Sequence, residues 1–156
     1  MKKTISLVLW VVALQLIGYG MGMITEANID PWYLSLYKSL LTPPGFVFGI
    51  VWGILYVMLA IVSWQIYQNK KPAKVTQLRF VFAVQLILNW LWTPLFFYMH
   101  WTGAALICLA AIVIFTTRFL TLAWHQARLL FWLMFPYWVW VCFASYLNFF
   151  IWYGNP

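Results

Sequence analysis

Two amides, Gln85 and Asn89, stand inside a long apolar run with Phe82, Trp92 and Phe96 beside them at spacings of three and four. That spacing puts all five side chains on one stripe of a helix. An amide turned toward hydrocarbon would leave its donor and acceptor unpaired, so the stripe must face protein or a cavity. Two other runs carry comparable stripes: Phe48, Trp52 and Tyr56 at i+4, and Tyr137, Trp140, Ala144, Leu147 and Ile151. Three such faces converging make a deep, mainly aromatic pocket, suited to a flat hydrophobic ligand that stacks on indoles and shares a few hydrogen bonds with amides. An aromatic core in which Gln85 and Asn89 bond between helices accounts for the same spacing.

Other chemistry is poorly provided for. The chain holds two acids, Glu26 and Asp30, and no pair of carboxylates able to act as acid and base. Phosphate-binding, dinucleotide, zinc-protease and nucleophile-elbow patterns are absent. His100 and His125 fall at opposite membrane edges and cannot share a metal, so a single axial haem bond is the one metal role open to either. Cys108 and Cys142 lie apart inside apolar runs, as buried small hydrophobes and not as a metal or disulfide framework. No cofactor is expected. No ionisable side chain occupies the middle of a run, which argues against ion-coupled transport. The formal charge of +7 comes from only nine Lys and Arg residues, too few and too dispersed to imply nucleic acid.

The elements that must carry these stripes follow from composition. Of 156 residues, 66% are hydrophobic and 7% charged, more apolar surface than a water-soluble shell of this size can cover. Apolar runs at about 5–25, 45–67, 75–99, 102–122 and 128–153 each reach the roughly 20 residues needed to cross a bilayer, and none alternates as a barrel strand would. The expectation is one all-α integral membrane domain, residues 1–156, a five-helix bundle. The opening Met1-Lys2-Lys3 imitates a signal peptide, but its apolar run is too long and lacks a small-x-small cleavage site, so it reads as an uncleaved first helix. Glu26 to Pro44, with Pro31, Trp32, Tyr33 and the Pro43-Pro44 pair, reads as a structured loop between the first two helices.

Five spans place Lys2, Lys3, Lys70, Lys71, Lys74, Arg79, Arg118 and Arg128 on one side, leaving Lys38 alone among the bases on the other. The positive-inside rule then expects a cytoplasmic N-terminus and an outer C-terminus, and the Met-Lys-Lys start suits a bacterial plasma membrane. Gly18 with Gly22, and Gly45 with Gly49 and Gly53, make flat strips for helix packing or for homodimerisation. Pro94 and Pro136 could bend the third and fifth helices. Trp101, Trp124 and Trp152 suit interfacial belts, whereas Trp52, Trp92 and Trp140 lie deeper, roughly 10 to 18 Å below the outer helix ends.

Three blocks of residues resemble the translocator protein family, the peripheral benzodiazepine receptors and bacterial tryptophan-rich sensory proteins. The first is Trp32-Tyr33, Leu36, Lys38, Pro43-Pro44, Phe48, Val51-Trp52 and Leu55-Tyr56. The second is Gln85-Leu86, Asn89-Trp90, Trp92, Pro94 and Phe96-Phe97. The third is Pro136-Tyr137, Trp140, Phe143-Ala144, Leu147-Asn148 and Asn155.

The resemblance implies a five-helix bundle, often a homodimer, whose cavity takes porphyrins such as protoporphyrin IX, sterols in some members, and isoquinoline carboxamide or benzodiazepine drugs. It implies that Trp52 and Trp140 flank the ligand, Asn89 offers a polar contact, Ala144 and Leu147 form a wall, and Tyr33 with Pro44 closes the lid. Some bacterial members are reported to degrade protoporphyrin IX in light, with the paired indoles implicated, which makes Trp52 and Trp140 the candidate catalytic residues. Ser39 and Ile50 stand where the family commonly has proline, so a less constrained lid and second helix are expected. Phe149 and Tyr153 replace the tyrosine and arginine of the sterol pattern, which argues against tight cholesterol binding. Three functions remain open: a porphyrin-binding receptor or carrier, a light-dependent porphyrin-degrading enzyme, and a facilitator of tetrapyrrole or lipid movement.

Overall fold

Backbone polar groups cannot be left unpaired in hydrocarbon, and the apolar runs answer that demand as helices. The structure, a computed structural model, describes residues 2–68 and 72–156; Lys70, Lys71 and the side chain of Lys74 lie outside the described residues. Five long apolar helices follow one another: α1 Lys2–Glu26, α2 Gly45–Gln68, α3 Pro72–Thr93, α4 Thr102–Gln126 and α5 Arg128–Gly154. All are long and apolar enough to cross a membrane.

Proline and backbone geometry set the boundaries. Pro43 and Pro44 precede α2, where proline's fixed φ suits a helix start. Pro94 cannot donate to the α-helical ladder, and α3 passes there into a π-helical turn, Pro94–Tyr98, closed by the Met99 N–H donating to the Pro94 carbonyl at 2.9 Å. His100 then takes a left-handed φ of 58°, reversing the chain into α4. Pro136, by contrast, sits inside an unbroken α5. One extended residue, Ala127, joins α4 to α5.

Spatial order differs from chain order. α1 packs on α2, α2 on α5, α5 on α4 and α4 on α3, while the end of α3 and its π turn return to α1. α4 and α5 pack intimately, whereas α2 approaches α5 more loosely. Gln15 Nε2 donates to the Gly53 carbonyl at 2.8 Å between α1 and α2, and Cys108 Sγ donates to the Leu88 carbonyl at 3.3 Å between α4 and α3. Cys108 is buried as expected; Cys142 is partly exposed.

The glycine strips behave differently from a packing seam. A Cβ at Gly18 would lie 2.7 Å from the Tyr56 ring, so α1 and α2 meet closely there. Gly22, Gly45, Gly49 and Gly53 have nothing within 4 Å of that position. Along the α2 strip the Cβ directions are therefore open, and the Gln15 side chain meets the strip at backbone, through the Gly53 carbonyl.

Candidate functional site

The helix order brings the α2 aromatic stripe opposite α5. The Phe48 ring meets Trp140 edge-on at 5.5 Å, and Trp52 lies 5.7 Å from Tyr56 and 6.4 Å from Tyr137. These contacts link two helices that pack less closely than α4 and α5, and aromatic rings supply much of the contact between them. Tyr56 donates its hydroxyl to Asn89 Oδ1 at 3.2 Å, which ties α2 to α3. The Tyr137 hydroxyl and the Trp90 indole N–H lie beside this pair without completing hydrogen bonds.

Trp140 begins an aromatic ladder up α5. Phe143 follows at 5.6 Å, Tyr146 at 6.4 Å beyond it, then Phe150 at 6.3 Å, and Tyr37 of the loop caps the series 5.5 Å from Phe150. Phe143, Tyr146 and Phe150 repeat at three and four residues from Trp140, so the spacing was available in the sequence, one position around the helix from the stripe through Ala144 and Leu147. Ala144, Leu147 and Ile151 are buried alongside Met134, Tyr137 and Val141. They form the packed face of α5, and the ladder flanks it.

The third-span stripe is divided among neighbours. Phe82 packs on Phe119 of α4 at 5.8 Å. Gln85 is fully buried, and neither its amide oxygen nor its amide nitrogen has a partner. Asn89 joins Tyr56. Trp92 and Phe96 stack at 5.4 Å and belong to a second aromatic cluster with Trp32, Tyr33 and Phe97 beneath the loop. Trp92 Nε1 donates to Asn148 Oδ1 at 3.1 Å, and Asn148 Nδ2 donates to the Thr102 carbonyl at 2.8 Å. Asn148 thus joins α3, α4 and α5, a bridging role that sequence spacing did not assign.

The loop is braced from within by Lys38 and fastened to the rest of the bundle at three points. The Lys38 ammonium donates to the carbonyls of Tyr33, Leu34 and Leu36 at 2.7, 3.1 and 3.0 Å and lies 4.9 Å from the Tyr33 ring centre. The Asn155 side chain accepts from the Tyr37 N–H at 2.8 Å and donates to the Tyr37 carbonyl at 3.0 Å, pairing with that backbone as a strand would. Ser39 Oγ and the Tyr146 hydroxyl are 2.9 Å apart, and Ser39 Oγ also accepts from the Leu41 N–H. Trp32 stacks on His100 at 4.0 Å. Ser39 therefore does not loosen the lid as its replacement of proline suggested; its hydroxyl supplies a tether that proline lacks. Burial raises the Tyr33 phenol above its ordinary value, so it is a neutral donor at physiological pH. Pro44 stands exposed at the start of α2.

Phe48, Trp52 and Trp140 make an aromatic seam between α2 and α5, continued along α5 by Phe143 and Tyr146 and met by the loop at Ser39, with Tyr37 against Phe150. The Trp140 indole N–H is buried without a partner, a donor ready for an acceptor on a ligand. Nothing stands within 4 Å of a Cβ at Gly45 or Gly49 on α2. Among the described residues no cluster of His, Cys, Asp and Glu could hold a metal ion. Stacking and a few hydrogen bonds are the interactions these side chains can offer.

Residues 10–153 match the model of the TspO/MBR family. Among curated proteins, the chain is 31% identical over 151 residues to a tryptophan-rich protein TspO of Archaeoglobus fulgidus, covering 97% of each chain. It is 35% identical to the human translocator protein over 133 residues, 80% of this chain and 75% of the other. A tryptophan-rich sensory protein of Cereibacter sphaeroides is 32% identical over 123 residues, 77% of this chain and 74% of its own.

Proposed function

From the premise that this chain belongs to the TspO/MBR family of multi-pass membrane proteins, we propose that it is a receptor or carrier for protoporphyrin IX and related flat hydrophobic ligands, bound between α2 and α5. The observation that carries this reading is the aromatic seam between α2 and α5, where half-buried Trp52 and Trp140 stand on facing helices and the buried Trp140 N–H has no partner. A planar macrocycle gains most from indole and phenyl faces, and its carboxylates or ring nitrogens need only a few donors. Tyr33 and Pro44 are assigned to the cover and Gln85 and Asn89 to the polar floor, while Trp92 and Phe96 in the cluster beneath the loop and Ala144 and Leu147 in the packed face of α5 support the site from behind. Isoquinoline carboxamide and benzodiazepine drugs share the same flat, weakly polar character. A homodimer in a bacterial plasma membrane, with the N-terminus in the cytoplasm and the C-terminus outside, completes the proposal.

The test is protoporphyrin IX titration of the purified protein, read by quenching of Trp fluorescence and by porphyrin absorbance, in light and in darkness. The Trp52→Phe/Trp140→Phe variant should bind at least about tenfold more weakly, the equivalent of about 1.4 kcal/mol. Unchanged affinity sinks the site. Conversion to a new absorbing species that needs light and both indoles would make the protein the light-dependent degrading enzyme, with Trp52 and Trp140 at the reacting centre. Porphyrin flux across vesicles that exceeds empty liposomes would favour the facilitator.

A further inference from the structure

The other ends of α4 and α5, remote from the loop, form a concavity of about 280 Å³ lined by Thr117, Leu120, Trp124, His125, Phe131 and Phe135, with Thr121 and Trp138 completing it. One wall is an aromatic stack: Phe131 on Phe135 at 5.7 Å and Phe135 on Trp138 at 5.9 Å. At its deep end the Trp138 indole N–H donates to Thr117 Oγ1 at 2.9 Å, and the Thr121 hydroxyl donates to the Arg118 carbonyl at 2.8 Å. The Trp138 and Thr121 donors are thus satisfied within the protein, and most of what the groove wall offers is carbon. Its mouth is different. The Arg128 guanidinium lies 5.0 Å from the centre of the Trp124 ring, which holds a cation at the edge of the groove beside His125. Among the described residues neither His125 nor Arg128 has an acidic partner, because the only acids of the chain, Glu26 and Asp30, stand at the opposite end of the bundle. The neighbouring surface is apolar and open, with Ile114, Leu129 and Trp132 all exposed, so the groove faces the bilayer and not water.

An apolar trough with a cationic mouth, open to lipid, matches an amphiphile with an anionic head. We propose that this groove holds one acidic phospholipid, its phosphate between His125 and Arg128 and one acyl chain along Leu120, Phe131 and Phe135. From Phe131 to Trp138 the groove runs roughly 10 Å at the helical rise per residue, enough for the upper part of one chain. The site is distinct from the α2–α5 seam and stands whether or not a porphyrin binds there.

The experiment is native mass spectrometry of the full chain with dioleoylphosphatidylglycerol and with dioleoylphosphatidylcholine. It is paired with photocrosslinking by a phosphatidylglycerol that carries a diazirine on one acyl chain. One phosphatidylglycerol should be retained about tenfold more strongly than phosphatidylcholine, and crosslinks should concentrate on residues 117–138. Arg128→Gln with His125→Gln should abolish the preference, whereas Lys2→Gln with Lys3→Gln, on the same side of the membrane but outside the groove, should keep it. Equal retention of the two lipids, crosslinks spread over all helices, or equal losses in both variants would overturn the proposal. So would competition by millimolar inorganic phosphate, which would mark a free-anion site, or crosslinking of this face to a second copy of the chain. The wild-type arms decide the matter even if the Arg128 variant fails to fold.

Discussion

Asn148 is buried with both ends of its amide engaged, accepting from Trp92 and donating to the Thr102 carbonyl. Replacing it with leucine strands the Trp92 N–H in a medium without water. Asn148→Leu should therefore lower stability in detergent by roughly 1 to 2 kcal/mol, and a cycle with Trp92→Phe should show the two losses to be less than additive. Thermal unfolding of the four proteins measures this. Gln85 is the opposite case, equally buried but without partners. Residue type told both amides apart from the lipid-facing side chains, because a bilayer tolerates neither outward. It did not tell which would be satisfied by protein and which would go without a partner. That depends on what the neighbouring helix presents at the same depth. The aromatic ladder of Trp140, Phe143, Tyr146 and Phe150 was legible only at Trp140, since aromatic rings are equally at home in a core, at a belt or in a pocket.

At the scale of elements, close approach and tethering decide most. A side chain at Gly18 would collide with Tyr56, whose hydroxyl holds Asn89. Gly18→Val should push α1 from α2 and destabilise by about 1 to 3 kcal/mol, while Gly22→Val, with open space around it, should be close to neutral. Melting temperatures of the two variants test the contrast. The loop between α1 and α2 is closed down by Asn155 and Ser39. Asn155→Ala should raise amide hydrogen exchange at Tyr37 and its neighbours by roughly tenfold without loosening α4 or α5, because the lid opens locally. Adding Ser39→Ala should raise it further, and exchange unchanged in both would refute the tether. Proline placed the start of α2 well in the sequence, at Pro43 and Pro44. Its effect inside a helix was not legible. Pro94 opens a π turn, while Pro136 leaves α5 intact.

At the scale of the whole molecule, the described bases Lys2, Lys3, Arg79, Arg118 and Arg128 belong to one end of the bundle and Glu26 and Asp30 to the other. A reporter active only outside the cytoplasm, fused after Pro156, should therefore be active, and the same reporter joined at the N-terminus silent; the reverse pattern would invert the orientation. Length, hydropathy and charge determined by themselves that this chain is a five-helix membrane bundle with an ordered first loop, because the bilayer imposes both the span and the satisfied backbone on any such sequence. The stripes at spacings of three and four marked Trp52, Asn89 and Trp140 as side chains turned toward protein. The tertiary structure alone decided that α2 stands beside α5 and that Ala144 and Leu147 pack in the core while the aromatic ladder flanks that face. It alone decided that Asn155 and Ser39 hold the lid. In a helix apolar on every side, the sequence has no contrast between the face that meets lipid and the face that meets protein, and only packing supplies it.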